Sequence, residues 1–108
     1  MRNLLTDIPD SISEELIETI FAAGSMQIKR IVSMGHRSAP DFWYDQEEDE
    51  WVALLTGSAT LEFEDTGQLV PLVPGNFLHI PAHRRHRVDR TDTDSTTIWL
   101  AIHFQSVE

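Results

Sequence analysis

Two short stretches of this chain hold the residue types that bind metal ions and move protons. One runs from Glu50 to Gly57, a glutamate followed by six residues and a glycine. The other runs from Gly75 to His86, with Pro81 inside it and histidines at 79, 83 and 86. The chain has no cysteine, which excludes disulfides, thiolate zinc sites and iron–sulfur clusters, so any metal must sit on nitrogen and oxygen. Carboxylate, amide and imidazole donors gathered at one point suit a hard-to-borderline divalent ion such as Mn, Fe, Ni or Zn. With neither a cysteine nor a G-x-S-x-G elbow, a nucleophilic hydrolase has little support.

The charges around these stretches are clustered. Arg84, Arg85, Arg87 and Arg90 place four of the eight basic residues within seven positions, and Asp45, Glu47, Glu48, Asp49 and Glu50 form an acidic run. One use is structural: arginine–carboxylate pairs tie the two stretches, or two subunits, together, each exposed pair contributing ~0–1 kcal/mol. The other is functional, with Arg84, Arg85 or Arg87 gripping a carboxylate or phosphate of a ligand at the mouth of a site. Five acids beside four arginines favour the structural use.

A length of 108 residues sets one domain, large enough for a core without staples. The formal net charge of -10 argues against nucleic acid, which needs a basic face. No apolar run approaches the ~18 residues of a membrane span, and the N-terminus lacks a signal-peptide core. A soluble, cytoplasmic protein is expected, with no membrane partner.

The elements that must position the chemistry are mostly strands. Ser11 and Glu14 form a capping-box pattern, Ile12, Leu16, Ile20 and Phe21 recur at helical spacing, and Gly24 fits a helix stop. This predicts one short N-terminal helix over the leader. From Met26 the texture turns to β: Met26 to Ser33, Glu50 to Thr56, Ala59 to Glu64, Gln68 to Val73, Phe77 to Ile80, His86 to Arg90 and Thr96 to Phe104. Ala59, Leu61 and Phe63 alternate with polar residues and face a core. Thr96 to Phe104 is apolar at nearly every position and is expected to be buried on both faces.

Residues from about Gly35 to Phe104 resemble the small single-domain cupins. The shared residues are Glu50 with Gly57, the turn from Leu72 to Gly75, Gly75 with Pro81, and His86. The resemblance implies an all-β fold, a double-stranded β-helix or jelly-roll barrel, over residues 26–108, with residues 1–25 as leader and helix packed on the barrel or a partner. It also implies that Glu50 and His86 reach one interior and hold a divalent metal there. Members of the family usually carry two histidines, one residue apart, three or four positions before the glutamate. Here those places fall within Trp43 to Gln46 and contain no histidine, leaving Trp43 with Asp45 or Tyr44 with Gln46. His83 stands where many cupins have glycine.

Asp45 or Gln46 could supply a further oxygen to such a metal. His103 shares the parity of Trp99 and Ala101, and His79 precedes Pro81 by two, so either could turn inward as an extra ligand. Without metal, Glu50 and His86 would form a buried hydrogen-bonded pair, because a buried carboxylate needs a partner. The resemblance points to a metal-binding small-molecule protein, an enzyme of dioxygenase, isomerase or lyase type acting on a small organic acid or sugar. Tyr44 is then a candidate general acid and His83 or His103 a candidate base. Trp43, Arg84 and Arg87 are candidates for the ligand mouth. The alternative is a non-catalytic ligand-binding or sensor protein without metal. Three tryptophans and a doubly apolar terminal strand in a small chain predict a homodimer.

Overall fold

In the computed structural model, which describes residues 1–106, the chain forms eight strands. In order they are β1 (Leu16–Ala23), β2 (Met26–Ser33), β3 (Asp49–Thr56), β4 (Ala59–Phe63), β5 (Leu69–Leu72), β6 (Phe77–Ile80), β7 (His86–Thr91) and β8 (Thr97–Phe104). They build a five-stranded sheet of order β1-β2-β8-β3-β6 and a three-stranded sheet of order β5-β4-β7. Every neighbouring pair is antiparallel.

The core lies between the two sheets. Val52 and Leu54 of β3, Trp99 and Ala101 of β8 and Ile80 of β6 meet Ala59, Leu61 and Phe63 of β4 and Leu72 of β5. Phe63 and Leu54 are fully enclosed, and burying each contributes about 1.5–3 kcal/mol. The one polar atom that Trp99 brings inside is satisfied: its Nε1–H donates to Ser33 Oγ at 3.1 Å, and Ser33 Oγ–H donates to Glu15 at 2.5 Å.

The predicted N-terminal helix is replaced by a strand. Leu16, Ile20 and Ile12 are four apart, a spacing that satisfies a helix face and also keeps one parity on a strand. β1 carries Ile17, Thr19, Ile20 and Phe21, which are β-branched or aromatic and fit a pleated surface better than a helical one. What decides the outcome is the partner: Ala23 pairs with Met26, so Gly24 and Ser25 make a two-residue hairpin turn. Gly24 has φ 57° at the first turn position, where a type II′ turn places glycine. Among the described residues there is no helix, so none is long and apolar enough to cross a membrane.

The leader is held to the outside of the larger sheet by Arg30, which is 6% exposed. Its guanidinium donates to the carbonyls of Leu4 at 3.1 Å, Thr6 at 2.6 Å and Asp7 at 3.4 Å, and pairs with Glu18 at 2.7 Å. One buried cation thus orders seven residues that have little apolar surface of their own.

Two glycines are demanded by geometry. Gly57 closes the β3–β4 turn at φ 79°, and a Cβ there would collide with Thr97, whose Cα lies 2.7 Å from that position. Gly75 has φ 94° in the turn from Val73 to Asn76, with Pro74 ahead of it, the residue order of a type II turn. Asn76 N–H donates to the Val73 carbonyl at 3.0 Å, and Gly75 N–H to Leu54 at 2.8 Å, so the turn is pinned to β3.

Candidate functional site

Strand parity gathers the polar residues of the interior. Along β3 the inward positions are Glu50, Val52 and Leu54, and along β8 they are His103, Ala101 and Trp99. Glu50 sits directly opposite His103 on one side and Ile80 on the other. His86 comes from the smaller sheet, at the start of β7, where it pairs with Phe63 and makes an isolated bridge with Tyr44. Glu50, His86 and His103 are each less than a tenth exposed.

The two histidines approach different oxygens of the same carboxylate. His86 Nε2 is 3.5 Å from Glu50 Oε1, and His103 Nε2 is 3.5 Å from Glu50 Oε2. A charge-assisted N–H···O⁻ bond is shorter, ~2.7–2.9 Å. The same protein shows what such bonds look like: His79 lies 2.7 Å from Asp49, and His83 lies 2.8 Å from Asp45. The inner contacts are therefore not closed hydrogen bonds. His86 Nδ1 is 2.9 Å from the Arg84 carbonyl, which can only accept, so Nδ1 carries the proton. The Nε2 of a neutral His86 then turns a lone pair toward Glu50. Glu50, His86 and His103 come close, yet among the described residues no group of three His, Asp or Glu side chains has the arrangement of a formed metal site.

These residues line a cavity of about 230 Å³. Tyr44 and Gln46 both face it, whereas Trp43 and Asp45 do not, so alternation selects Tyr44 with Gln46 at the positions of the missing histidine pair. Tyr44 lies against His86, ring centroids 5.5 Å apart and nearly parallel. Burial, and then the carboxylates of Glu15 and Glu50, raise the Tyr44 phenol above its usual pKa, so it stays a proton donor. The rest of the wall is apolar, with Ile31, Val52, Leu61, Ile80, Val88 and Trp99 prominent.

Several residues expected at the site lie elsewhere. Asp45 and His83 pair at the surface, with side chains 49% and 66% exposed, so neither reaches the cavity. His83 has φ 63°, the left-handed conformation that glycine adopts without cost, and its backbone N–H donates to the Gln46 carbonyl at 2.8 Å. Its place in the chain is set by the turn and not by inward chemistry. His79 faces outward and binds the buried Asp49, whose other oxygen accepts from Ala82 N–H at 3.1 Å.

The arginines expected at a mouth are engaged around the smaller sheet, Arg87 on the face opposite His86 and Arg84 against the core residue Phe63. Arg84 pairs with Asp65 at 3.2 Å and lies 3.9 Å over the Phe63 ring. Arg87 is buried, pairs with Glu62 at 2.9 Å and donates to the Ser38 carbonyl. Arg85 pairs with Glu64 and Arg90 donates to Ser58. Their carboxylate partners come from the β4–β5 hairpin and β7, not from the acidic run at 45–50.

Two cavity residues escaped sequence reasoning, Glu15 and Lys29. Glu15 lay in the segment read as a helix. Lys29 sits in a strand whose apolar and polar residues alternate poorly, and only its shared parity with Ile31 and Ser33 marked it as inward.

Two antiparallel sheets closed around a polar interior that holds Glu50 and His86 define a cupin, and the chain belongs to the cupin domain family. The family's model, described as a cupin domain, matches residues 30–103. The chain is similar to a crystal structure from Ralstonia eutropha JMP134, provisionally named a mannose-6-phosphate isomerase, with 40% identity, a TM-score of 0.94 and 98% of each chain covered. A cupin superfamily protein from Desulfitobacterium hafniense DCB-2 shares the fold at 21% identity and a TM-score of 0.74, covering 92% of this chain and 84% of that one. Among curated proteins, 48 residues are 42% identical to part of the RCS-specific HTH-type transcriptional activator RclR of Escherichia coli (strain K12). That match spans 44% of this chain and only 16% of the activator.

Proposed function

We propose that this chain is a small-molecule cupin that holds a divalent metal, Mn, Fe, Ni or Zn, on Glu50, His86 and His103 and acts on a small organic acid or sugar. The observation that carries the proposal is the approach of two imidazole Nε2 atoms, at 3.5 Å each, to separate oxygens of one buried carboxylate. Ligands ~2.1 Å from one tetrahedral ion lie roughly 3.4 Å apart, so the two histidine–carboxylate spacings are compatible with an ion between them. The bond from His86 Nδ1–H to the Arg84 carbonyl is the orienting contact that metal-bound histidines commonly make. Gln46 supports the set as a further oxygen donor on the cavity wall.

A divalent ion there would act as a Lewis acid toward an oxygen of a bound ligand. The residues supply the rest. Glu50 provides the negative charge that balances a cation, and Arg84 fixes the His86 ring through its carbonyl. Tyr44, held protonated, can deliver a proton to a ligand in the cavity, and the apolar wall excludes water. The test is elemental analysis of untagged protein purified without chelator, beside His86→Ala and Glu50→Ala. Near-stoichiometric metal that disappears in both variants is expected. Metal content unchanged in both, or no binding when each metal is added back, would sink the assignment.

A second reading, a ligand-sensing cupin without turnover or metal, draws on the similarity to part of a transcriptional activator. Native mass spectrometry showing a bound organic molecule in metal-free protein would favour it. We also propose a cytoplasmic homodimer; a solution mass of one chain at micromolar concentration would remove the dimer.

A further inference from the structure

Lys29 is the chain's only lysine, and it lines the cavity. Among the described residues it makes no ion pair and no side-chain hydrogen bond. Of the arginines, Arg30 holds the leader, Arg84, Arg85, Arg87 and Arg90 are engaged around the smaller sheet, and none of the seven lines this cavity. Lys29 is thus the one positive side chain that lines the cavity, which otherwise holds the carboxylates of Glu15 and Glu50. One oxygen of Glu15, Oε2, accepts from Ser33 Oγ–H.

The sheet register fixes where this charge stands. Lys29 is opposite Ala101, and Ala101 is opposite Val52, so Lys29 lies two strands from β3. Glu50 and His103 occupy the neighbouring inward row, opposite Gln27. Strand spacing and rise put the Cα atoms of Lys29 and Glu50 roughly 12 Å apart. The gap is lined chiefly by Ile31, Val52, Leu61, Ile80, Val88 and Trp99. Such a wall offers few partners for a ring of hydroxyls, and each hydroxyl left unpaired there costs free energy. The volume of about 230 Å³ exceeds the ~150 Å³ of a dry apolar cavity that accepts benzene, and falls below the ~300–1,000 Å³ of drug-sized pockets.

Resting on the reading of this cavity as a small-molecule site, we infer that its ligand is a small, mainly apolar organic acid of single-ring size, with its carboxylate on Lys29 and its body directed toward Glu50, His86 and His103. A sugar phosphate does not fit this distribution of charge, because no arginine faces the cavity and its single lysine stands on an apolar wall.

The sole lysine makes the test specific. The protein, with and without chelator treatment, is exposed to limiting N-acetoxysuccinimide, and Lys29 acetylation is followed by mass spectrometry with the N-terminal amine as internal control. Benzoate, phenylacetate, benzyl alcohol and mannose 6-phosphate are compared as protectants. Either aromatic acid is expected to slow Lys29 acetylation at least about tenfold while leaving the N-terminal amine unchanged. Benzyl alcohol should not protect. By calorimetry, Lys29→Met should weaken binding of the acid by about tenfold or more, and Lys29→Arg should retain it. Stronger protection by mannose 6-phosphate, or wild-type binding of the acids by Lys29→Met, would overturn the inference. Metal content is read on the same samples, so Lys29-dependent binding in the chelated protein upholds the acid site even where the metal assignment fails.

Discussion

Glu50 and His103 face each other across the β3–β8 ladder as direct register partners, and the imidazole Nε2 stands 3.5 Å from the carboxylate Oε2. The pair is buried, yet the contact is too long for a charge-assisted bond. Glu50→Gln should therefore raise the stability of chelator-treated protein by about 1 kcal/mol, because a buried charge without close partners is costly. With the metal restored the order should reverse, since an anionic carboxylate gains more from the ion than a neutral amide does. Thermal melts of both proteins in both states check this, and an identical ranking in the two states would contradict the role given to Glu50.

Tyr44 is the only tyrosine in the chain, so its ionisation can be followed at 295 nm without interference from another phenol. Burial and the carboxylates of Glu15 and Glu50 favour the neutral form, so tyrosinate absorbance should appear above the usual ~10. Glu15→Gln removes one of those charges and should move the transition down. A midpoint at the ordinary value in the folded wild type would contradict the placement of Tyr44.

Asp49 is held below the usual carboxylate range by His79, by the Ala82 N–H and by Ser106. A carboxyl with a depressed folded pKa contributes stability above its unfolded pKa of ~3.9, and that stability disappears as pH falls through the lower folded value. Asp49→Asn should accordingly melt below wild type at pH 6, with the gap closing as pH is lowered past 3.9, about the unfolded value. Melting curves over that range decide it; a gap that widens in acid would reverse the sign.

Arg30→Met keeps much of the volume but removes the donors to Leu4, Thr6 and Asp7 and the partner of Glu18. A loss of about 1–3 kcal/mol is expected, from the carbonyls that lose their donor, since the Glu18 left behind is a third exposed and can be hydrated. Limited trypsin digestion should cut at Arg2 faster in the variant, and an unchanged rate there would show that the leader is held by something else.

Gly57→Ala combines a positive φ with a collision against the Thr97 backbone. It should destabilise the protein by about 2–4 kcal/mol in urea unfolding. Little change would mean that the β3–β4 turn can move away from β8.

Much of the fold was legible locally. Met26–Ser33 and Phe77–Ile80 are strands whose ends match the sequence reading, and Ala59–Phe63 faces the core through the residues its alternation selects. Glycine and proline at fixed spacing carried the turns, because they meet at least cost the φ values that Gly57 and the Pro74–Gly75 turn require. The N-terminal segment was not legible. Its apolar residues recur every four positions, which keeps one face on a helix and one parity on a strand. The choice fell to pairing with β2, a nonlocal contact.

By itself, the sequence determined the family, the strand-rich barrel, the inward parity of His103 with Trp99 and Ala101, and the pairing of Glu50 with His86 as the residues to watch. Tertiary structure decided which neighbours join them. Tyr44 and Gln46 turn inward while Trp43 and Asp45 do not, because the bridge to His86 sets the parity of that loop. His83 is claimed by Asp45 at the surface, and the arginines by acids of the smaller sheet. Lys29 and Glu15 meet the cavity only because β1 and β2 extend the larger sheet beside β8. Those choices depend on which strands lie side by side, and no local pattern of residues encodes that.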